Sequence, residues 1–217
     1  MSPKKQLKET KSGSKIKRRN YDSAWKEVIE KLFQNFLEFF FPDFHEAIDF
    51  DKQFEFLNTG MRPVVTFSKR GDRASDVLVK VHLKNGTRRY ICIFIHIEVQ
   101  GRPAENFMEK MYIYNYRTFD KRIEPNVPVV SAAILTDEDP NYRPDEYAVK
   151  FGRFELRMKI PIAKIIDYKI HPELNEYLNT TSNPMSLVVK AQLKSLEANK
   201  ADDNTKFSAA KELIREC

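Results

Sequence analysis

Asp76, Glu98 and Gln100 are the residues whose types and spacing could do chemistry. Glu98 and Gln100 end an otherwise apolar strand, Arg89–Gln100. Alternation puts Ile91, Ile93, Ile95, Ile97 and Val99 on one side, and Cys92, Phe94, His96, Glu98 and Gln100 on the other. The first face is aliphatic throughout and demands burial. The second turns from apolar to polar, as a strand does when it runs out of a core into a cleft. Burying even a neutral polar group there without a partner costs roughly 2–7 kcal/mol, and an ionised carboxylate more. A cation would offset that cost.

The element that must supply the second carboxylate is the preceding strand, Ser75–Lys84. Val77, Val79, Val81 and Leu83 form its aliphatic face; Asp76, Leu78, Lys80 and His82 form the other. Asn85-Gly86 then turns the chain. A two-residue Asn-Gly loop is the usual expectation, but partner numbers would sum to 171 and mix the faces. Faces match only for an even sum. The spacing therefore predicts a three-residue loop with a bulge, a five-residue loop, or a bulge within the strand. With a sum of 172 Asp76 faces His96 and lies diagonal to Glu98; with 174 it faces Glu98 directly. In both registers the carboxylates lie within about 5–8 Å at Cβ, close enough to share one ion. The plainer alternatives are an exposed strand end, or two acids that partner Lys80 and Arg117.

Around this pair the chain reads as α, β, β, β, α, β. Asp22 or Ser23 can cap a first helix, in which Trp25, Val28, Ile29, Leu32, Phe33, Phe36, Leu37 and Phe40 make one apolar stripe ending near Phe41-Pro42. Gln53–Leu57 reads as a short strand, and 58–74 as irregular. Pro103 precedes a second helix over Ala104–Lys121, and Val127–Leu135 is an apolar, central strand. Tyr147–Phe151 and Phe154–Ile160 read as an edge hairpin about Gly152, stopped by Pro161. From Ala163 onward short helices are expected, Pro184–Leu196 and Lys206–Glu216 among them. His96 reads as a hydrogen-bonded strand residue before a ligand, and Tyr112, Tyr114 and Tyr116 as packing before base stacking.

The 217 residues, 41% hydrophobic with 16 Phe and 9 Tyr, suit one domain with appendages. No apolar run approaches the roughly 20 residues that span a bilayer, and the N-terminus lacks a signal peptide's apolar segment. A cytoplasmic location without a membrane partner is expected. Two cysteines and four scattered histidines make neither a disulfide framework nor a zinc motif. Of the net charge of +6, residues 1–20 hold an excess of +7, leaving −1 for the rest. That basic arm reads as disordered, suited to phosphate contact or to solubility alone.

Tyr21-Asp22-Ser23-Ala24-Trp25-Lys26-Glu27, Asp76-Val77-Leu78-Val79-Lys80-Val81, His96-Ile97-Glu98-Val99-Gln100 and Tyr114-Asn115-Tyr116-Arg117 carry a resemblance. Together they resemble the PD-(D/E)XK nuclease superfamily, and within it the bacterial recombination-promoting nuclease and transposase-type branch, over about Tyr21 to Leu196. The resemblance implies an α/β fold. Its core, residues 21–168, would be restriction-endonuclease-like (αβββαβ, a mixed sheet flanked by helices), preceded by the arm 1–20 and followed by a helical extension, 169–217. It also implies a Mg²⁺-dependent (or Mn²⁺-dependent) DNA endonuclease of recombination or transposase type. Asp76, Glu98 and the Val99 carbonyl would be ligands, with a further acidic contact from Glu27. Arg73, Arg102 and Arg117 would be DNA contacts, or solvated. The fold also allows a homodimer, since paired cuts need two sites.

Gln100 departs from the superfamily's usual lysine, although the branch resembled here also has Glu-x-Gln. Glutamine orients water but supplies neither charge nor a base. Lys26 on the first helix, or Lys80 on the strand of Asp76, would have to supply the cation. The competing reading is a catalytically inactive DNA-binding or interaction module that kept the fold. It is favoured by Gln100 and by an ending at Cys217, where similar proteins continue.

Overall fold

In the computed structural model, which describes residues 24–57, 77–87, 90–120 and 127–197, the strand ending in Glu98 and Gln100 is the middle of a five-stranded mixed sheet. The strands are β1 (Glu55–Phe56), β2 (Val77–Thr87), β3 (Tyr90–Gln100), β4 (Val129–Leu135) and, after a separate hairpin of β5 (Glu146–Phe151) and β6 (Phe154–Lys159), β7 (Ile162–Lys164). The sheet order is β1-β2-β3-β4-β7. β1, β2 and β3 are antiparallel to their neighbours; β3, β4 and β7 run parallel.

Helices cover both faces. On the Val77, Val79, Ile95, Ile97 side lie α1 (24–31), α2 (Phe33–Phe40) and α3 (Pro42–Ala47), followed later in the chain by the helices of the C-terminal part. α4 (Phe107–Asp120) covers the other side. The apolar stripe is as expected, with Trp25, Ile29, Phe33, Phe36 and Leu37 at most 3% exposed. The single first helix is not continuous, however. Leu32 (φ −119°, ψ 34°) bends out between α1 and α2. Leu32 N–H still donates to Val28 O (2.8 Å) and Phe36 N–H to Leu32 O (2.7 Å), so the stripe stays on one face across the bend. Pro42, with no N–H to lose, opens α3 at its first turn.

The pairing of β2 with β3 has the even sum that face matching requires: Val77 faces Ile97, Val79 faces Ile95 and His82 faces Cys92, a sum of 174. A register shift between His82 and Thr87 then brings Thr87 opposite Tyr90. The expected irregularity is there, but the expected turn is not. Asn85 and Gly86 lie within β2, and the chain reverses between Thr87 and Tyr90. The cost of turning the valine face toward solvent outweighs the local preference of Asn-Gly for a turn.

Three further expectations are corrected. β5 and β6 pair about Gly152 as predicted, but they form their own two-stranded sheet and do not edge the main one. The edge is taken by β7, where only helices were expected; Pro161 ends β6 and its carbonyl accepts from Ala133 N–H (3.1 Å), starting the parallel pairing. The strand expected at Val127 begins at Val129, between β3 and the edge strand β7. The C-terminal helices α5 (Asp167–Ile170), α6 (Pro172–Thr180) and α7 (Met185–Glu197) share the core of α1 and α2. Tyr168 stacks on Phe39 at 5.2 Å, and Trp25 Nε1 donates to Gln192 Oε1 at 3.4 Å. The helix expected at Lys206–Glu216 and the arm 1–20 lie outside the described residues. Among the described residues no helix is long and apolar enough to cross a membrane.

Candidate metal centre at the carboxyl end of the sheet

β3, β4 and β7 end together. Gln100 pairs with Leu135 and Leu135 with Lys164, one row across the three parallel strands; Glu98 lies in the row of Ala133 and Ile162. Glu98 is half-buried and alternates with the buried Ile97 and Val99, so it belongs to the face covered by α4. In the parallel ladder the Gln100 carbonyl accepts from Thr136 N–H at 2.9 Å. Even-numbered β3 residues thus bond toward β4, and the Val99 carbonyl turns to the side of β2.

Asp76 lies outside the described residues, as does Arg73. The observed sum of 174, from Val77 and Ile97 onward, is one of the two expected registers. The Glu98 carboxylate and the Val99 carbonyl are oxygen donors, a set that suits Mg²⁺ or Mn²⁺ rather than a metal preferring nitrogen or sulfur. Among the described residues, no group of three or more His, Cys, Asp or Glu side chains is assembled to hold a metal.

Gln100 uses its side-chain amide locally: Nε2 donates to the Arg102 carbonyl. Arg102 itself is exposed just beyond the strand end. His96 is structural, 1% exposed, with its ring stacked on Tyr114 at 4.0 Å and 8° and Nδ1 3.3 Å from Ser131 Oγ. Tyr112 likewise packs, stacked on Tyr147 at 4.8 Å.

The other expected residues sit on elements or at strand positions away from the end of β3. Lys26 and Glu27 ride on α1, which packs on the opposite face of the sheet. Lys26 lies 3.8 Å from Glu30, and Glu27 pairs with Lys31 at 3.0 Å. Lys80 faces Phe94, four residues short of Glu98 and about 13 Å back along the strand. Arg117 lies in the second half of α4, toward the start of β4. A hollow of about 300 Å³ lined by Asn115, Ser131 and Lys159 also lies at that far end of β4, away from Glu98.

Two features were missed. α4 runs antiparallel to β4, because Phe107 and Met108 at its start pack with Leu135 while Asn115 Nδ2 donates to Val129 O (3.0 Å) and Ser131 Oγ (3.0 Å). Tyr114 sits over His96, and Lys110 precedes it by four residues, about 6 Å up the helix. The two residues from His96 to Glu98 span about 7 Å. Lys110 is therefore level with Glu98, exposed, and in no ion pair among the described residues. Placing α4 antiparallel over β3 would have found it from the sequence.

The second is a buried ion pair at the end of the next strands. Lys164 Nζ donates to Asp137 Oδ1 (2.9 Å) and Oδ2 (3.0 Å) and to Tyr142 O (3.1 Å), and Tyr142 Oη donates to Ala104 O (3.1 Å). These bonds lash the loop after β4 to β7 and to the approach of α4. Burial pushes the Tyr142 phenol up, against the lowering pull of its bond to Ala104. Compared with family models, with curated proteins and with solved structures, the chain matches none.

Proposed function

We propose that the protein is a metal-dependent DNA endonuclease of recombination or transposase type, with a PD-(D/E)XK core. The observation that supports this most is the half-buried Glu98 at the carboxyl end of the central strand, in a register summing to 174 with the strand that follows Asp76. Asp76, Glu98 and the Val99 carbonyl would hold Mg²⁺ or Mn²⁺, which would supply an acidified water and offset charge on the phosphoryl group. Gln100 orients without charging, and Lys110 from α4 supplies the positive charge that glutamine lacks. Arg102 and the basic arm engage the DNA backbone.

Supercoiled plasmid incubated with the purified protein tests this. Nicking with Mg²⁺, absent in EDTA and absent in Glu98→Ala and Asp76→Ala, is expected; nicking that survives either variant overturns it. A specific observation favours a second reading, an inactive DNA-binding module: the Gln100 amide is already engaged by the Arg102 carbonyl. Calorimetry separates the two, since the module would bind Mg²⁺ no better than its Asp76→Ala variant does.

A further inference from the structure

The β5–β6 hairpin has an apolar face longer than the core it covers. Tyr147 pairs with Met158, Val149 with Leu156 and Phe151 with Phe154, so these six side chains share one face. At the base Tyr147 and Met158 pack against the cluster of Phe107 and Met111. Exposure then climbs toward the turn, from 39% at Val149 to 59% at Phe154 and 85% at Phe151. The last rung contributes almost nothing to the protein's own core.

Charge at the tip is net positive, with Glu155 across the hairpin from Lys150 as its one acid. Lys150 and Arg153 flank the two rings with no acid between Lys150 and Phe154, and neither is in an ion pair among the described residues. Further down, Arg157 and Lys159 are held by Glu146, Glu155 and Asp145. Gly152, at φ 57°, makes the turn, and a Cβ built on it would meet nothing within 4 Å.

We propose that this tip binds single-stranded or unpaired nucleic acid: Phe151 and Phe154 stack on base faces while Lys150 and Arg153 meet the flanking phosphates. Aromatic rings interleaved with cations are how unpaired strands are held without reading sequence. A second copy fits less well, because a symmetric contact would set Lys150 and Arg153 against their own counterparts. The inference deepens the DNA reading above by naming the form of DNA engaged.

The test is fluorescence anisotropy of the full chain with a labelled 20-nucleotide single strand and with its blunt duplex. It is run at about 0.3 M salt, where phosphate contacts by the basic arm are weak. Phe151→Ala/Phe154→Ala is expected to weaken single-strand binding about tenfold or more and to leave the duplex within about twofold. Phe151→Trp/Phe154→Trp should retain it. Both side chains are exposed, so the thermal midpoint should not move. Unchanged single-strand affinity overturns the proposal. So does an equal loss on duplex, or a loss confined to phosphatidylserine vesicles or to self-association. Plasmid nicking by Glu98→Ala is read separately, so the hairpin inference can fail while the nuclease reading stands, and the reverse.

Discussion

Lys164 Nζ lies 2.9 and 3.0 Å from the two carboxylate oxygens of Asp137, with the side chains 1% and 2% exposed. Two charges so fully removed from water hold each other in place, and removing one strands the other. Lys164→Ala should therefore cost about 3–5 kcal/mol. The double change Lys164→Met/Asp137→Leu should be close to neutral. Urea unfolding of the two variants checks this, and a double variant as unstable as the single one would contradict it.

Lys110 stands level with Glu98 on the face that Glu98 shares, whereas Lys26 belongs to the opposite face. Among the three lysine-to-alanine variants, Lys110→Ala is expected to lose the most metal-dependent cleavage, on the order of 10²-fold. Lys80→Ala and Lys26→Ala should lose less. Single-turnover rates order the three; a larger loss in Lys26→Ala would return the role to the first helix.

Tyr168 is pushed well above its ordinary value of 10.0, chiefly by burial, and Tyr142 is raised for the same first reason. A raised folded-state pKa means that the stability is fully present below about pH 10 and is lost as the unfolded chain ionises above it. Stability should fall as pH rises past about 10. Tyr168→Phe should flatten that slope. At the acid end the sign reverses: Lys169 holds the exposed Glu197 carboxyl below its usual range by hydrogen bond and charge. The tie between α5 and α7 is present above the ordinary carboxylate pKa and lost as pH falls. Chemical denaturation across pH reads both limbs.

Gly152→Ala should destabilise by about 1–2 kcal/mol through backbone conformation alone, because φ is 57° and no atom stands near the new methyl group. Asn at this position should cost less than Ala. The midpoint shift in denaturant decides it; an unchanged midpoint would mean that the turn relaxes.

Periodicity carried most of the architecture, because side-chain faces are a property of the strand itself. The parity that set the Ile95 and Val79 faces together also required the irregularity later found between His82 and Thr87. What periodicity does not contain is the third dimension. Nothing in the spacing of Lys26 says which side of the sheet its helix will cover, and three residues of β7 are too few to show any period. Lys164 and Asp137 are 27 residues apart and become partners only because β7 returns beside β4. Asn85-Gly86 misled for the opposite reason: a strong local turn preference was overruled by the core.

The irregular stretch between His82 and Thr87 also separates two jurisdictions within one hairpin. On its far side the chain reverses under one pairing rule; on its near side Val77 to His82 obey another. Residues gained or lost at the turn can be absorbed there without inverting the strand below. The stretch works as a frame buffer, letting the tip vary in length while Glu98 keeps its address.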